Sequence, residues 1–143
     1  MPSASRTVIV DRPIDEVFTF FTTPSNDPTW RPYVKEINGQ GPPEVGSRIH
    51  QVVLGPGGRG IPSDIQVTAY QPPSRYAFKV VAGPVRPEGE FRFTAAGTST
   101  EVALSMRADL GGLKGLLLSR SVQKAMDGEV AGLDTAKRLL EAD

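Results

Sequence analysis

The chain has 143 residues, with 16 Lys plus Arg balanced by 16 Asp plus Glu, 38% hydrophobic residues and no cysteine. That length supports one core burying about 70% of the unfolded surface, and a balanced charge supplies no field to hold nucleic acid or an anionic membrane. The missing cysteines exclude disulfide frameworks, thiol catalysis and zinc fingers, while the longer apolar stretches, such as residues 112–118, fall far short of the roughly 20 needed to span a bilayer, and no signal peptide opens the chain, so a cytoplasmic domain without membrane insertion is expected.

Residues 5–10 are rich in β-branched side chains and read as a strand, and the Asp11-Arg12-Pro13 that follows signals a helix start. Ile14, Val17, Phe18 and Phe21 then recur at helical spacing, with Asp15 and Glu16 in the first turn, where carboxylates favour the macrodipole. Pro24 and Pro28 close that helix, and residues 26–33 form a second helical turn or loop carrying Trp30, the only tryptophan.

Beyond it the hydrophobic period changes to two. A Gly/Pro-rich turn over 39–46 precedes a strand over 47–54; a flexible, glycine-rich connection over 54–60 leads to a strand over 61–71, with Ile65 and Val67 on one face. Tyr76, Phe78 and Val80 share a face of the next strand, Phe91 and Phe93 of another, and Val102, Leu104 and Met106 of the last. Polar residues such as Glu90, Arg92, Glu101, Ser105 and Arg107 alternate with them, so one side of the sheet is wet and the other covered. Short turns between these strands imply antiparallel neighbours.

Residues 113–142 hold the longest helical pattern and the only element able to cover such a sheet. Leu118, Val122, Met126, Leu133, Ala136 and Leu140 lie in one stripe, with Lys137 and Arg138 near the C-terminus. The expected architecture is a single α+β domain over 1–143. A curved antiparallel sheet of about six to seven strands wraps around the long C-terminal helix, and two short helices follow the first strand.

Several residues bear on chemistry. Ser121, Ala125, Gly128 and Gly132 run along one edge of the helical stripe and either leave room for a ligand or permit close helix–sheet contact. Glu129 sits near the middle of the stripe, where a carboxylate needs a partner. It is either a polar anchor or general base with a raised pKa, or a carboxylate paired with Arg or Lys of the sheet. His50 is the only histidine, so a Ser-His-Asp site or a histidine-rich metal site would have to run through it, and no second ligand is spaced nearby. Its strand places Arg48 on the same face and Ile49 and Gln51 on the other, and the pattern leaves open which face turns inward. Trp30 either packs in the core or closes one end of a cavity. The Gly55-Pro56-Gly57-Gly58 segment lacks the Lys-Ser/Thr of a phosphate loop.

Taken in order, Ile9-Val10-Asp11-Arg12-Pro13-Ile14-Asp15-Glu16-Val17-Phe18, Trp30 followed by Pro32 and Val34, Val45-Gly46, Tyr70-Gln71-Pro72-Pro73-Ser74-Arg75, Thr100-Glu101-Val102 and Leu139-Leu140-Glu141 resemble the START-like, or polyketide cyclase/dehydrase and lipid transport, superfamily (SRPBCC) over nearly the whole chain. The resemblance implies a helix-grip fold and a hydrophobic ligand; it implies no single catalytic motif, since members include carriers and cyclases. Oxygenase members bind iron through histidines and carboxylates, and a lone histidine speaks against that branch, so no metal or cofactor is expected. The expected function is binding of a small hydrophobic or amphipathic molecule (lipid, polyketide-like or isoprenoid) between sheet and helix. Trp30, Phe78, Phe91, Phe93, Met106, Ala125, Met126 and Glu129 would line the site. The alternative is a cyclase or dehydratase using the same cavity, with Glu129 or His50 as acid–base group. Monomer and homodimer both remain open.

Overall fold

The computed structural model describes residues 2–39, 43–83, 85–110 and 112–142, with side chains described except at 56 and 112–118. Strand β1 (Ser3–Val10) passes into α1 (Ile14–Phe21) through Pro13, an extended residue whose carbonyl accepts from Val17 N at 3.1 Å. Helix α1 buries Val17, Phe18 and Phe21 on one side. A 3₁₀ turn at Pro24–Asn26 leads into the one-turn α2 (Asp27–Trp30), with Pro28 in its first turn, where a missing N–H costs nothing.

The sheet comprises β1, β2 (Val34–Asn38), β3 (Arg48–Leu54), β4 (Gly60–Pro62), β5 (Ile65–Gln71), β6 (Arg75–Val80), β7 (Glu88–Ala96) and β8 (Ser99–Arg107). Its strands pair antiparallel in the order β1-β8-β7-β6-β5-β3-β2, with β4 paired to β3. Helix α3 (Gly112–Glu141) follows.

The expected architecture holds, with three departures in the first half of the sheet. Val34–Asn38 is a strand although Lys35 and Glu36 break its alternation; a bulge between Val34 and Glu36 absorbs the mismatch. Residues 61–71 form two strands rather than one, because Pro62 cannot donate onward and Ser63 N turns back to Gln51 O at 2.8 Å. The connection over 54–60 is structured: Gly55 N donates to Arg59 O at 2.7 Å, and Gly57 takes φ 72°, which favours glycine.

The alternating faces fall as expected. Val8, Val10, Ile65, Val67, Tyr76, Val80, Phe91, Phe93, Val102, Leu104 and Met106 are buried with Val122, Met126, Val130, Leu133, Ala136 and Leu140 of α3. The side chain of Leu118, also expected in that stripe, lies outside the described residues. Helix α3 lies along β1, whose other side pairs with β8. Arg6 Nη2 reaches Asp134 Oδ2 at 2.6 Å, Gln123 Nε2 donates to Ser3 O at 2.6 Å, and Asp11 N donates to Glu141 Oε2 at 2.8 Å. Lys137 Nζ donates to Ile9 O. The helix thus takes up backbone groups of an edge strand that would otherwise be open to another chain.

The small residues of α3 divide. Ser121, Ala125 and Gly128 are exposed, so they open no space beneath the helix. Gly132 is buried, and a Cβ there would stand 3.0 Å from Trp30 Cε3 and 3.1 Å from the Trp30 carbonyl oxygen, whereas one at Gly128 would meet nothing within 4 Å. Gly132 therefore serves close contact with α2. Gly128→Ala is expected to stabilise by about 0.5–1 kcal/mol, and Gly132→Ala to show none of that gain. Urea denaturation of both variants measures the difference, and equal gains would contradict the close approach.

Candidate functional site

Arg31 follows directly on α2, its N–H bonded to Asp27 O at 2.8 Å, and this turn points its side chain under α3. Nη1 donates to Asp27 Oδ2 at 2.8 Å and to Gln51 Oε1 at 3.2 Å. Nη2 donates to Glu129 Oε1 at 3.0 Å, and Nε to Glu129 Oε2 at 3.1 Å and Tyr33 Oη at 3.3 Å. Arg31 is 8% exposed and Gln51 3%. A guanidinium's planar fork suits this bidentate carboxylate, and burial makes each contact stronger and each loss more costly.

One cation thus faces two carboxylates. Burial pushes the Asp27 carboxyl up to about 6; Arg31 opposes that shift and the nearby Glu129 charge adds to it. Burial, with the Glu129 charge, also raises Tyr33, and burial raises Tyr76 with Asp27 adding to it. Desolvation disfavours the Arg31 cation, but Glu129, Tyr33 and Asp27 outweigh it and hold the guanidinium firmly charged.

Beside this cluster lies the aromatic interior. Trp30 meets Phe21 edge-on at 5.3 Å between centroids and Phe91 at 6.3 Å, Phe91 stacks on Phe93 at 5.9 Å, and Tyr76 stacks on Phe91 at 6.2 Å. The Arg31 guanidinium carbon is 6.0 Å from the Trp30 ring centre. Trp30 turns its Cε3–Cζ3 edge to Gly132, so its indole N–H points away from that contact. Trp30 Nε1 is the one buried side-chain nitrogen or oxygen among the described residues without a hydrogen-bond partner. Such an orphan calls for an explanation.

The residues expected around a ligand are only partly together. Trp30, Phe91, Phe93, Met106 and Met126 are buried on the inner side and Phe78 is half-buried against them. Ala125 is exposed on the outer side of α3, away from them. Glu129 is half-buried, and its partner is Arg31, at the end of α2 rather than on the sheet. His50 points outward with Arg48, its side chain 44% exposed, with Nδ1 2.7 Å from Asp64 Oδ1 and Nε2 3.8 Å from Glu36 Oε1. His50 and Glu129 do not share a site. Desolvation acts to raise Asp64, yet the hydrogen bonds from His50 and Arg48 outweigh it and hold that carboxyl below its ordinary range.

An open cleft of about 640 Å³ lies elsewhere, across β1, β8, β7, β6 and β5. Ser3, Ser5, Ser105, Arg107, Glu88, Glu90, Arg75 and Thr68 border it, as do Phe78 and Met106, and none of the α3 residues whose side chains are described does. Its charged side chains pair among themselves: Arg75 Nη2 with Glu90 Oε2 at 2.8 Å, and Arg107 with Glu88.

Asp27, Arg31, Tyr33 and Gln51 were absent from the expected site. Asp27 and Arg31 stand four apart, the spacing at which opposite charges meet on one helical turn, and that was the available signal. Among the described residues no group of three or more His, Cys, Asp or Glu is placed to hold a metal ion, and no helix is long and apolar enough to cross a membrane.

A family model described as polyketide cyclase / dehydrase and lipid transport matches residues 1–141. The structure is similar to that of TTHA0849 from Thermus thermophilus, with a TM-score of 0.79 and 18% identity over 97% of both chains. It also resembles a START superfamily protein from Mycobacterium smegmatis (TM-score 0.72, 16% identity, 96% of this chain and 98% of that one). Protein MLL2253 from Mesorhizobium loti is likewise similar (TM-score 0.73, 16% identity, 97% and 96%). A search of curated proteins finds no match. Identities this low speak to the fold alone.

Proposed function

Because the chain belongs to the polyketide cyclase/dehydrase and lipid transport family, we propose that it binds a small hydrophobic or amphipathic molecule, such as a lipid, an isoprenoid or a polyketide-like aromatic, between the inner face of the sheet and α3. The observation that carries this reading is the pairing of an aromatic interior with a buried polar cluster: Phe91, Phe93, Tyr76 and Trp30 beside Arg31, Asp27 and Glu129. Apolar walls with a few convergent polar groups are the usual make-up of small-molecule sites. The rings supply burial worth about 25 cal/mol per Å² of ligand surface, and the polar end orients the guest.

A ligand present at about 100 times its Kd stabilises the folded chain by about 2.7 kcal/mol, equivalent to roughly 5–10 °C in Tm for a domain of this size. Thermal denaturation of delipidated protein against a panel of fatty alcohols, isoprenoids and polycyclic phenols is expected to show such a shift for at least one class. No shift across the panel would remove the reading. His50→Gln is expected to leave that ligand's affinity unchanged, because the imidazole faces Asp64 on the outer side. The cyclase or dehydratase alternative gains no support from the geometry: His50 is on the wrong face, and both Glu129 carboxylate oxygens already accept from Arg31.

A further inference from the structure

We infer that the polar end of this site selects a ligand bearing a neutral hydroxyl and rejects one ending in a carboxylate or other anion; the inference rests on the binding function proposed above. A buried arginine ordinarily invites an anion, but here each of the three guanidinium nitrogens already donates to a protein oxygen. Two carboxylates, Asp27 and Glu129, flank that single cation. An incoming carboxylate would have to compete with Asp27 and Glu129 for this one guanidinium, whose Nε and Nη1 hydrogens are already engaged, and would meet the like charge of Glu129 or Asp27 in a poorly solvated place, where repulsion is strong.

The second observation is independent of that cluster. Trp30 is 2% exposed, and its Nε1–H is a buried donor with no acceptor. Gly132 holds the Cε3–Cζ3 edge of the indole, which turns the N–H away from that contact. A donor left unmade inside a protein carries its full desolvation cost, which a ligand oxygen would recover. An alcohol or phenol oxygen accepts from such a donor without bringing a charge into the interior. With Nε1 enclosed, a guest reaches it only when neighbouring side chains move, so association should be slower than diffusion allows.

The test compares matched probes on the full chain at neutral pH: decanol against decanoate, and naphthol against naphthoate. Each is titrated by displacement of the neutral dye Nile red and by emission of Trp30, the only tryptophan. The alcohol of each pair is expected to bind about tenfold or more tightly than its acid. Glu129→Gln, nearly isosteric, is expected to narrow that preference to about threefold or less by admitting the anion. Decanoate binding as tightly as decanol overturns the selectivity while leaving the binding function standing. An unchanged preference in Glu129→Gln also overturns it, because desolvation of the anion alone would then account for the difference. Failure of all probes to bind overturns the binding function and the selectivity with it.

Discussion

Arg31→Met is expected to destabilise the domain by about 3–5 kcal/mol, because it strips a buried cation from two carboxylates that are themselves largely withdrawn from water. At this chain length that corresponds to a fall in Tm of roughly 10 °C. Methionine matches much of the aliphatic stem, so the loss comes from Asp27, Glu129 and Gln51, whose oxygens lose the donors they now hold at 2.8, 3.0 and 3.2 Å. The same reasoning makes the combined variant Asp27→Asn, Glu129→Gln, Arg31→Met more stable than Arg31→Met alone, since removing the whole charge set leaves no uncompensated ion. Thermal denaturation of the two variants beside the parent measures both effects. A single variant within about 1 kcal/mol of the parent would mean that the cluster is solvated rather than buried.

The pH dependence of stability carries the mark of Asp27. Its carboxyl has an ordinary value of 3.8 in the unfolded chain and about 6 in the fold. Between those values the folded state keeps a proton that the unfolded state has released, so the Asp27 contribution declines as pH rises through this window. Below it both states are protonated, and above it the penalty is complete, on the order of 2–3 kcal/mol. The groups facing Asp27 are Arg31, Glu129 and Tyr76; Glu129 adds to the shift and Arg31 limits it. Asp64, Glu90 and Glu141 act in the opposite sense, because their lowered carboxyls stabilise the fold above the unfolded range and lose that contribution in acid. Asp27→Asn removes only the first effect while keeping an oxygen for Arg31. Its stability relative to the parent is expected to rise by about 2 kcal/mol from about pH 4 to about pH 7. A difference that stays flat over that range in denaturant titrations would contradict a buried, proton-holding Asp27.

Much of the fold was legible because alternation survives in β6, β7 and β8: Tyr76, Phe78 and Val80, Phe91 and Phe93, and Val102, Leu104 and Met106 all turn to the core side. The stripe Val122, Met126, Leu133, Ala136 and Leu140 was readable for the same reason at the helical period. Where the pattern is interrupted, reading failed. Val34–Asn38 hides behind two adjacent charges and a bulge, and the division between β4 and β5 is made by Pro62 and a backbone bond to β3, neither of which changes hydrophobicity.

The candidate site was harder to see, for a physical reason. Glu129 announced its need for a partner, but Arg31 stands 98 residues away, and no local spacing links a turn after α2 to the middle of α3. Gln51 looked like one more polar residue on β3; it faces inward because it accepts from Arg31, and that fixes His50 on the outer face. Side-chain pairing at long range, rather than local propensity, decides which polar residues enter the core.

The most direct measurement of the interior site is a ¹³C-methyl methionine spectrum, read together with the Trp30 indole ¹⁵N signal, during titration with a fatty alcohol. Met126 sits in the α3 stripe and Met106 on the inner face of β8, both buried. A guest held between sheet and helix should shift Met126, Met106 and the Trp30 N–H together and saturably. Saturable binding that leaves both Met126 and the Trp30 N–H unmoved would place the ligand away from this interior and contradict an internal site.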